Sequence, residues 1–124
     1  MFDNDRINID SYEEIIKYLE ENNEFHDFRI GGFDYDSEQK RAKIFIEEPD
    51  QSKEYGHDDV LNSFYFELKE IEKFQFDTDL VLRSDVLECN ETGEREITIA
   101  LDNGHITFSA KNIVLSVPKS YVFK

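Results

Sequence analysis

Phe25-His26-Asp27-Phe28-Arg29-Ile30-Gly31-Gly32-Phe33-Asp34-Tyr35-Asp36 is the stretch in which the chain passes from a helical to an alternating pattern. Phe28 and Ile30 alternate with Asp27 and Arg29, the period of a strand with one buried face. Beyond Gly31-Gly32 the apolar positions are Phe33 and Tyr35, so the parity has changed. A regular strand would turn these rings to the opposite face. One extra residue at a β-bulge returns them to the first face, and glycine tolerates the backbone this requires. The stretch therefore reads as one bulged, twisted strand, with His26 on the apolar face beside Phe28 and Ile30.

Upstream, Tyr12, Ile15, Ile16 and Leu19 recur at helical spacing, with Glu13, Glu14, Lys17, Glu20 and Glu21 opposite. Asp10 and Glu13 form a capping-box pattern at the start, and Asn22-Asn23 is a stop. The result is an amphipathic helix of about three turns whose apolar stripe must lie on the following sheet. Arg6-Ile7-Asn8-Ile9 reads as a short strand or a lead-in.

Downstream, Ala42, Ile44 and Ile46 alternate as the second strand of a hairpin, which Glu48-Pro49-Asp50 ends because proline cannot donate to a ladder. Residues 48–59 are polar and aperiodic, a long loop and by position a candidate for function. Val60, Phe64, Phe66 and Leu68 share parity; Ile71, Phe74 and Phe76 follow as either a bent strand or a turn. Leu80 to Leu87 reads as a strand and Asn90-Glu91-Thr92-Gly93 as a turn. Ile97, Ile99 and Leu101 then alternate before Asn103-Gly104, the pair favoured in type I′ hairpin loops, and Ile106, Phe108 and Ala110 alternate after it. A loop at Asn103-Gly104 opposes Ile99 to Phe108 on a buried face. Ile113, Leu115 and Val117 add a last strand, and the apolar tail Tyr121-Val122-Phe123 follows. One N-terminal helix and about seven strands make a single α+β domain over residues 1–124. Its sheet is mostly antiparallel, twisted or a partial barrel, with the helix on one face.

The chain carries 29 acidic and 14 basic side chains, a formal net charge of -15. Of these, 18 acidic but only 7 basic groups fall in residues 1–62. That balance argues against nucleic acid or an anionic membrane as a direct partner. Hydrophobic residues at 39%, with 11 Phe and 6 Tyr, suffice for a ring-rich core. The single Cys89 excludes an internal disulfide and suits a reducing compartment. The acidic start Met1-Phe2-Asp3-Asn4-Asp5 is unlike a signal peptide, and no run is long and apolar enough to span a bilayer, so the expected location is cytoplasmic.

Chemistry-bearing patterns are sparse. His26 and Asp27, as neighbours on a strand, would face opposite ways and hold no common ion, which leaves His26 a structural, hydrogen-bonded residue. Asp34 to Glu38 resembles the opening of a calcium loop, but Gln39 and Phe45 stand where that loop needs Gly and Glu. His57, Asp58 and Asp59 are at most a weak site for a hard cation. Glu88 and Glu91 disfavour a thiolate at Cys89. No catalytic residue, metal ligand or cofactor site is assigned.

The order of the helix, Phe25-His26-Asp27-Phe28-Arg29-Ile30, Tyr35-Asp36 and Ile44-Phe45-Ile46 is similar to small bacterial proteins among the immunity proteins of polymorphic toxin systems. The Phe64-Tyr65-Phe66 strand and the Gly104–Lys111 strand resemble the second halves of such proteins. The resemblance implies a cytosolic binding protein without catalysis. On this reading the acidic residues form the partner surface: Glu13, Glu14, Glu20 and Glu21 on the helix, with Glu47, Glu48, Asp50, Glu54, Asp58 and Asp59 at the long loop. The expected partner is a basic protein such as a cognate toxin, and an exposed sheet edge leaves room for a homodimer. The alternative is a small-ligand binder or enzyme with a cavity between helix and sheet.

Overall fold

A computed structural model of the protein describes residues 6–49, 60–78 and 85–119. Strand β1 (Arg6–Ile9) leads into helix α1 (Tyr12–Glu21). Ser11, not Asp10, caps α1, its Oγ accepting the Glu14 N–H at 3.4 Å, so the cap lies one residue later than the sequence pattern placed it. Tyr12, Ile15, Tyr18 and Leu19 form the buried stripe, and α1 packs against β1, β5 and β7, whose ranges follow.

The chain leaves α1 through a left-handed turn. Asn23, Glu24, Phe25 and Asp27 have φ of 60°, 55°, 59° and 71°. Left-handed backbone costs an L-residue about 1–2 kcal/mol, so packing must hold it. The anchor is Phe25, fully buried, with its ring centroid 4.9 Å from Phe64 and 5.5 Å from Phe28. Strand β2 (Arg29–Asp36) consequently begins at Arg29, later than the alternation suggests. His26 lies outside the strand, exposed rather than on the apolar face, and its Nε2 is 3.5 Å from Asp27 Oδ1. The two side chains meet instead of diverging because the turn breaks strand geometry between them.

The remaining strands are β3 (Arg41–Pro49), β4 (Val60–Thr78), β5 (Val86–Gly93), β6 (Glu96–Leu101) and β7 (Gly104–Pro118). They form an antiparallel sheet in the order β2-β3-β4-β7-β6-β5, with β1 also paired to β7. β4 and β7 are long because each serves both halves of a folded sheet. β4 pairs with β3 only through Lys69, while β7 takes β1 along Leu115–Pro118 and β6 along Gly104–Phe108.

Between the halves the sheet turns a corner. Leu68 opposes Ile113 and Ile71 opposes Ala110, so the core phase changes on both strands at once. Glu70 has φ 54° and accepts a 3.0 Å hydrogen bond from Asn112 Nδ2, while the Ile71 N–H donates to Lys40 O at 3.1 Å. A further bulge between Ile71 and Lys73 adds to the bend. The segment readable as either bent strand or turn is thus a bent strand. The two half-sheets enclose the core, with Phe66 meeting Phe108 edge-on at 5.2 Å. The outer strands approach at one isolated bridge, Arg29 to Asp85, reinforced by the Val86 N–H donating to Phe28 O at 2.8 Å. The sheet is twisted and folded, not a closed barrel.

Two sequence expectations change at turns. The β6–β7 hairpin opposes Leu101 to Gly104, Ile99 to Ile106 and Ile97 to Phe108, two residues from the expected register. Asp102 and Asn103 keep negative φ, which excludes a type I′ loop at Asn103-Gly104; Gly104, with φ 145°, absorbs the twist instead. A shift of two preserves side-chain parity, so the same residues remain buried. The β5–β6 turn is Glu94-Arg95, with Arg95 at φ 53°, and Asn90 to Gly93 belong to β5. β3 ends at Pro49, within the Glu48–Asp50 stretch expected to end it, and Pro49 sits opposite Val60 at a register shift, where a missing N–H is tolerated. The bulge at Gly31 is present, since Ile30 opposes Ile46 while Gly32 opposes Phe45.

Candidate interaction surface

Helix α1 lies beside β5, a neighbour separated from it by more than sixty residues of sequence. Tyr12 Oη donates to Glu91 Oε2 at 2.7 Å, and the Arg95 guanidinium stands 4.7 Å from the centre of the Tyr12 ring. Asn90 Nδ2 donates to Glu24 Oε2 at 2.7 Å. His26 Nδ1 lies 2.8 Å from Leu87 O, so this nitrogen carries the proton. Leu87 itself is 47% exposed, turned out by a register shift between Val86 and Glu88.

These contacts join α1 and the turn after it to β5, and the exposed carboxylates of the two packed elements are termed the α1–β5 band. Glu13, Glu14, Glu20 and Glu21 are exposed on the helix, and Glu88, Glu91 and Glu94 on β5 and its turn, with Lys17 and Arg95 among them. Two buried groups beside single carboxylates are held in their neutral forms. Burial, the hydrogen bond to Glu91 and the charge of Glu91 push the Tyr12 phenol far above its ordinary range. Burial, and then the charge of Glu24, likewise hold Cys89 as a neutral thiol.

Helix stability does not account for the whole set. Glu13 and Glu14 stand at the positive end of the helix dipole, where carboxylates are favourable. Glu20 and Glu21 stand at the negative end, which has no basic residue in its last turn. There each carboxylate costs about 0.3–1 kcal/mol, less when screened by water.

A second feature lies on β2. The bulge returns Phe33 and Tyr35 to the core face, opposite Ile44 and Ala42, yet they remain 39% and 45% exposed. The fold of β4 brings rings to meet them: Phe33 is 4.7 Å from Phe76, Tyr35 stacks on Phe74 at 4.9 Å, and Phe74 contacts Phe76 at 4.9 Å. On the other face of the same strands, Asp34, Asp36, Arg41, Lys43 and Glu67 line a shallow depression of about 260 Å³. It lies away from α1, not between helix and sheet.

Of the acidic residues expected at the partner surface, Glu13, Glu14, Glu20 and Glu21 are exposed on α1. Glu47 is held by Arg29, with Nε to Oε1 at 3.1 Å, and Glu48 Oε1 accepts from Asn62 Nδ2 at 2.9 Å, so both serve strand β3. Asp50, Glu54, Asp58 and Asp59 lie outside the described residues, as do His57, Leu80 to Leu82 and the tail. The β5 carboxylates have no sequence signal that relates them to α1, since only the packing of β5, an edge strand, against that helix does so. Among the described residues no three His, Cys, Asp or Glu side chains converge as a metal site, and no helix is long and apolar enough to cross a membrane.

The neutral, fully buried Cys89 carries a direct prediction. Native protein should resist thiol alkylation at neutral pH, with labelling appearing only along the unfolding transition. Rapid stoichiometric labelling of folded protein, followed by mass spectrometry, would show that β5 opens on its own.

Comparison with protein-family models, with curated proteins and with solved structures found no match to this chain.

Proposed function

We propose that the chain is an acidic, non-enzymatic protein-binding module, acting as an immunity protein does by covering a basic surface of a partner protein. The observation that carries this reading is the α1–β5 band, and within it Glu20 and Glu21, placed against the helix dipole beside Glu24. A cost in helix stability is offset when those carboxylates meet cations on a partner. The exposed Leu87, bulged outward next to Glu88, supplies an apolar anchor inside the charged field. A toxin's nucleic-acid-binding face has the complementary charge.

The test uses the product of an adjacent toxin-like reading frame as partner, with binding followed by stopped-flow fluorescence. Reversing Glu20, Glu21 and Glu88 to Lys should slow association by about tenfold or more. Raising salt from about 20 to 200 mM should slow the wild type similarly, because screening shortens to under about 10 Å. The variant's thermal melt should remain close to wild type, these side chains being exposed. Association insensitive to both changes removes the band from recognition.

A further inference from the structure

We infer that the depression on the outer face of β2, β3 and β4 binds a small zwitterion, such as a short-chain amino acid, with its ammonium on one wall and its carboxylate on the other. The depression shares no residue with the α1–β5 band and lies on the face opposite the ring shelf of Phe33 and Tyr35. Its form comes from the sheet. Ala42 and Leu68 stand opposite one another on β3 and β4, both buried on the core side, and line the floor. One residue away along each strand the side chains point outward. Asp34, Lys43 and Glu67 are opposed in one row across the strands, and Asp36 and Arg41 in a second row about 6.7 Å further along. These two rows are the walls.

The charges of the walls are held apart. Lys43 is the direct cross-strand neighbour of both Asp34 and Glu67, yet its Nζ stands 4.9 Å from the centre of the Tyr65 ring, on the side away from the depression. Tyr65 lies two residues before Glu67 on β4, in the next row of the outer face, so the ammonium is drawn out of the space between the two carboxylates. On the facing wall, Asp36 Oδ1 accepts the backbone N–H groups of Glu38 and Gln39 at 3.1 and 3.2 Å, which ties the carboxylate to the turn. Its opposed neighbour Arg41 is exposed and, among the described residues, has no carboxylate at ion-pair distance. Opposite charges set across adjacent strands ordinarily stabilise a sheet by pairing. Here one wall offers two carboxylates without their lysine and the other a guanidinium.

A ligand bearing both charges answers both walls. Its ammonium takes the place between Asp34 and Glu67 that Lys43 leaves, and its carboxylate meets Arg41, whose forked N–H donors suit a planar carboxylate. A cation alone leaves Arg41 without a partner. An anion alone is set against Asp34, Asp36 and Glu67, and like charges brought together oppose binding. Size points the same way: the depression holds about 260 Å³, below the roughly 300–1,000 Å³ of pockets for drug-sized ligands, so a molecule of a few carbons fills it. The walls are partly in water, which weakens each ion pair and sets the expected affinity in the millimolar range.

The experiment is an amide NMR titration of the full chain, at fixed ionic strength, with γ-aminobutyrate, butylamine and butyrate. The last two keep the carbon chain and carry one charge each. γ-Aminobutyrate should shift the amides of Asp34, Asp36, Arg41, Lys43 and Glu67 saturably, and the single-charge probes should bind at least about fivefold more weakly. Asp34→Asn and Arg41→Gln should each weaken γ-aminobutyrate by about fivefold while the melt stays near wild type, both side chains being exposed. Equal binding of butylamine would reduce the site to general attraction of cations by the acidic chain and overturn the proposal. Equal binding of butyrate would overturn the role of the Asp34–Glu67 wall. Affinity unchanged in Arg41→Gln would overturn the role of the facing wall. Shifts that do not saturate, or that fall on α1 and β5 instead, would remove the depression as a ligand site.

Discussion

Phe66→Ala should lower the free energy of unfolding by about 3–5 kcal/mol, whereas Phe33→Ala should cost under about 1.5 kcal/mol. The two phenylalanines occupy the same face of the same sheet, joined through Ile44, which opposes Phe33 on β2 and Phe66 on β4. What separates them is the fold of the sheet. Phe66 is fully buried where the two half-sheets meet, opposite Leu115 and edge-on to Phe108. Truncation there removes a ring and leaves a cavity between two rigid layers that cannot close without moving both. Phe33 keeps 39% of its surface in water and packs against the rings of Phe74 and Phe76, so water or Phe76 can take up the space. Urea denaturation with unchanged m-values gives the comparison. Similar losses at the two sites would mean that Phe33 is as much a core residue as Phe66, and the ring shelf on β2 would lose its standing as a surface.

The contrast also shows what parity in a sequence can and cannot establish. The change of phase across Gly31-Gly32 announces a bulge, and the bulge is there. It correctly returns Phe33 and Tyr35 to the core face, but depth along that face depends on how far the opposing half-sheet extends, which no local pattern records. The β6–β7 hairpin fails in a related way. Registers differing by two residues bury the same set, Ile97, Ile99, Leu101, Ile106 and Phe108, so the pattern cannot choose between them. The choice falls to the dihedrals of Asp102, Asn103 and Gly104, and Asp-Asn-Gly suits more than one turn. The left-handed run at Asn23–Phe25 is harder still, because Glu24 and Phe25 are poor left-handed residues held there by the distant Phe64. The acidic band has the least local signature. Glu13 and Glu20 are legible as an exposed helix face, but their union with Glu88 and Glu91 depends on β5 becoming the edge strand beside α1.

That placement of β5 depends on how the outer strands meet, which makes Arg29 the second residue of large expected effect. Its side chain is only 8% exposed, and its Nε donates to Glu47 Oε1 at 3.1 Å from the directly opposed position on β3. Gly31 makes room for this pair: a Cβ there would stand 2.5 Å from Glu47 Oε2. The Arg29 backbone also forms the bridge to Asp85, next to the Val86–Phe28 hydrogen bond. Arg29→Ala should therefore cost about 2–4 kcal/mol, from the lost packing of the buried stem and from leaving Glu47, itself 26% exposed, without its cation. Glu47→Gln, which keeps an acceptor oxygen in place, should cost about 0.5–1.5 kcal/mol in the wild type. In the Arg29→Ala background the same change should be neutral or stabilising, since it then removes an uncompensated charge. A Glu47→Gln cost that is identical in both backgrounds would show that the pair is not coupled. Amide exchange adds a positional readout. If Arg29 secures the approach of the outer strands, exchange at Val86 should accelerate in Arg29→Ala well beyond that at Ile99, in the middle of β6, with Leu87 and Glu88 loosened alongside it. Uniform acceleration at both amides would instead trace the loss to global stability and leave the position of β5 independent of Arg29.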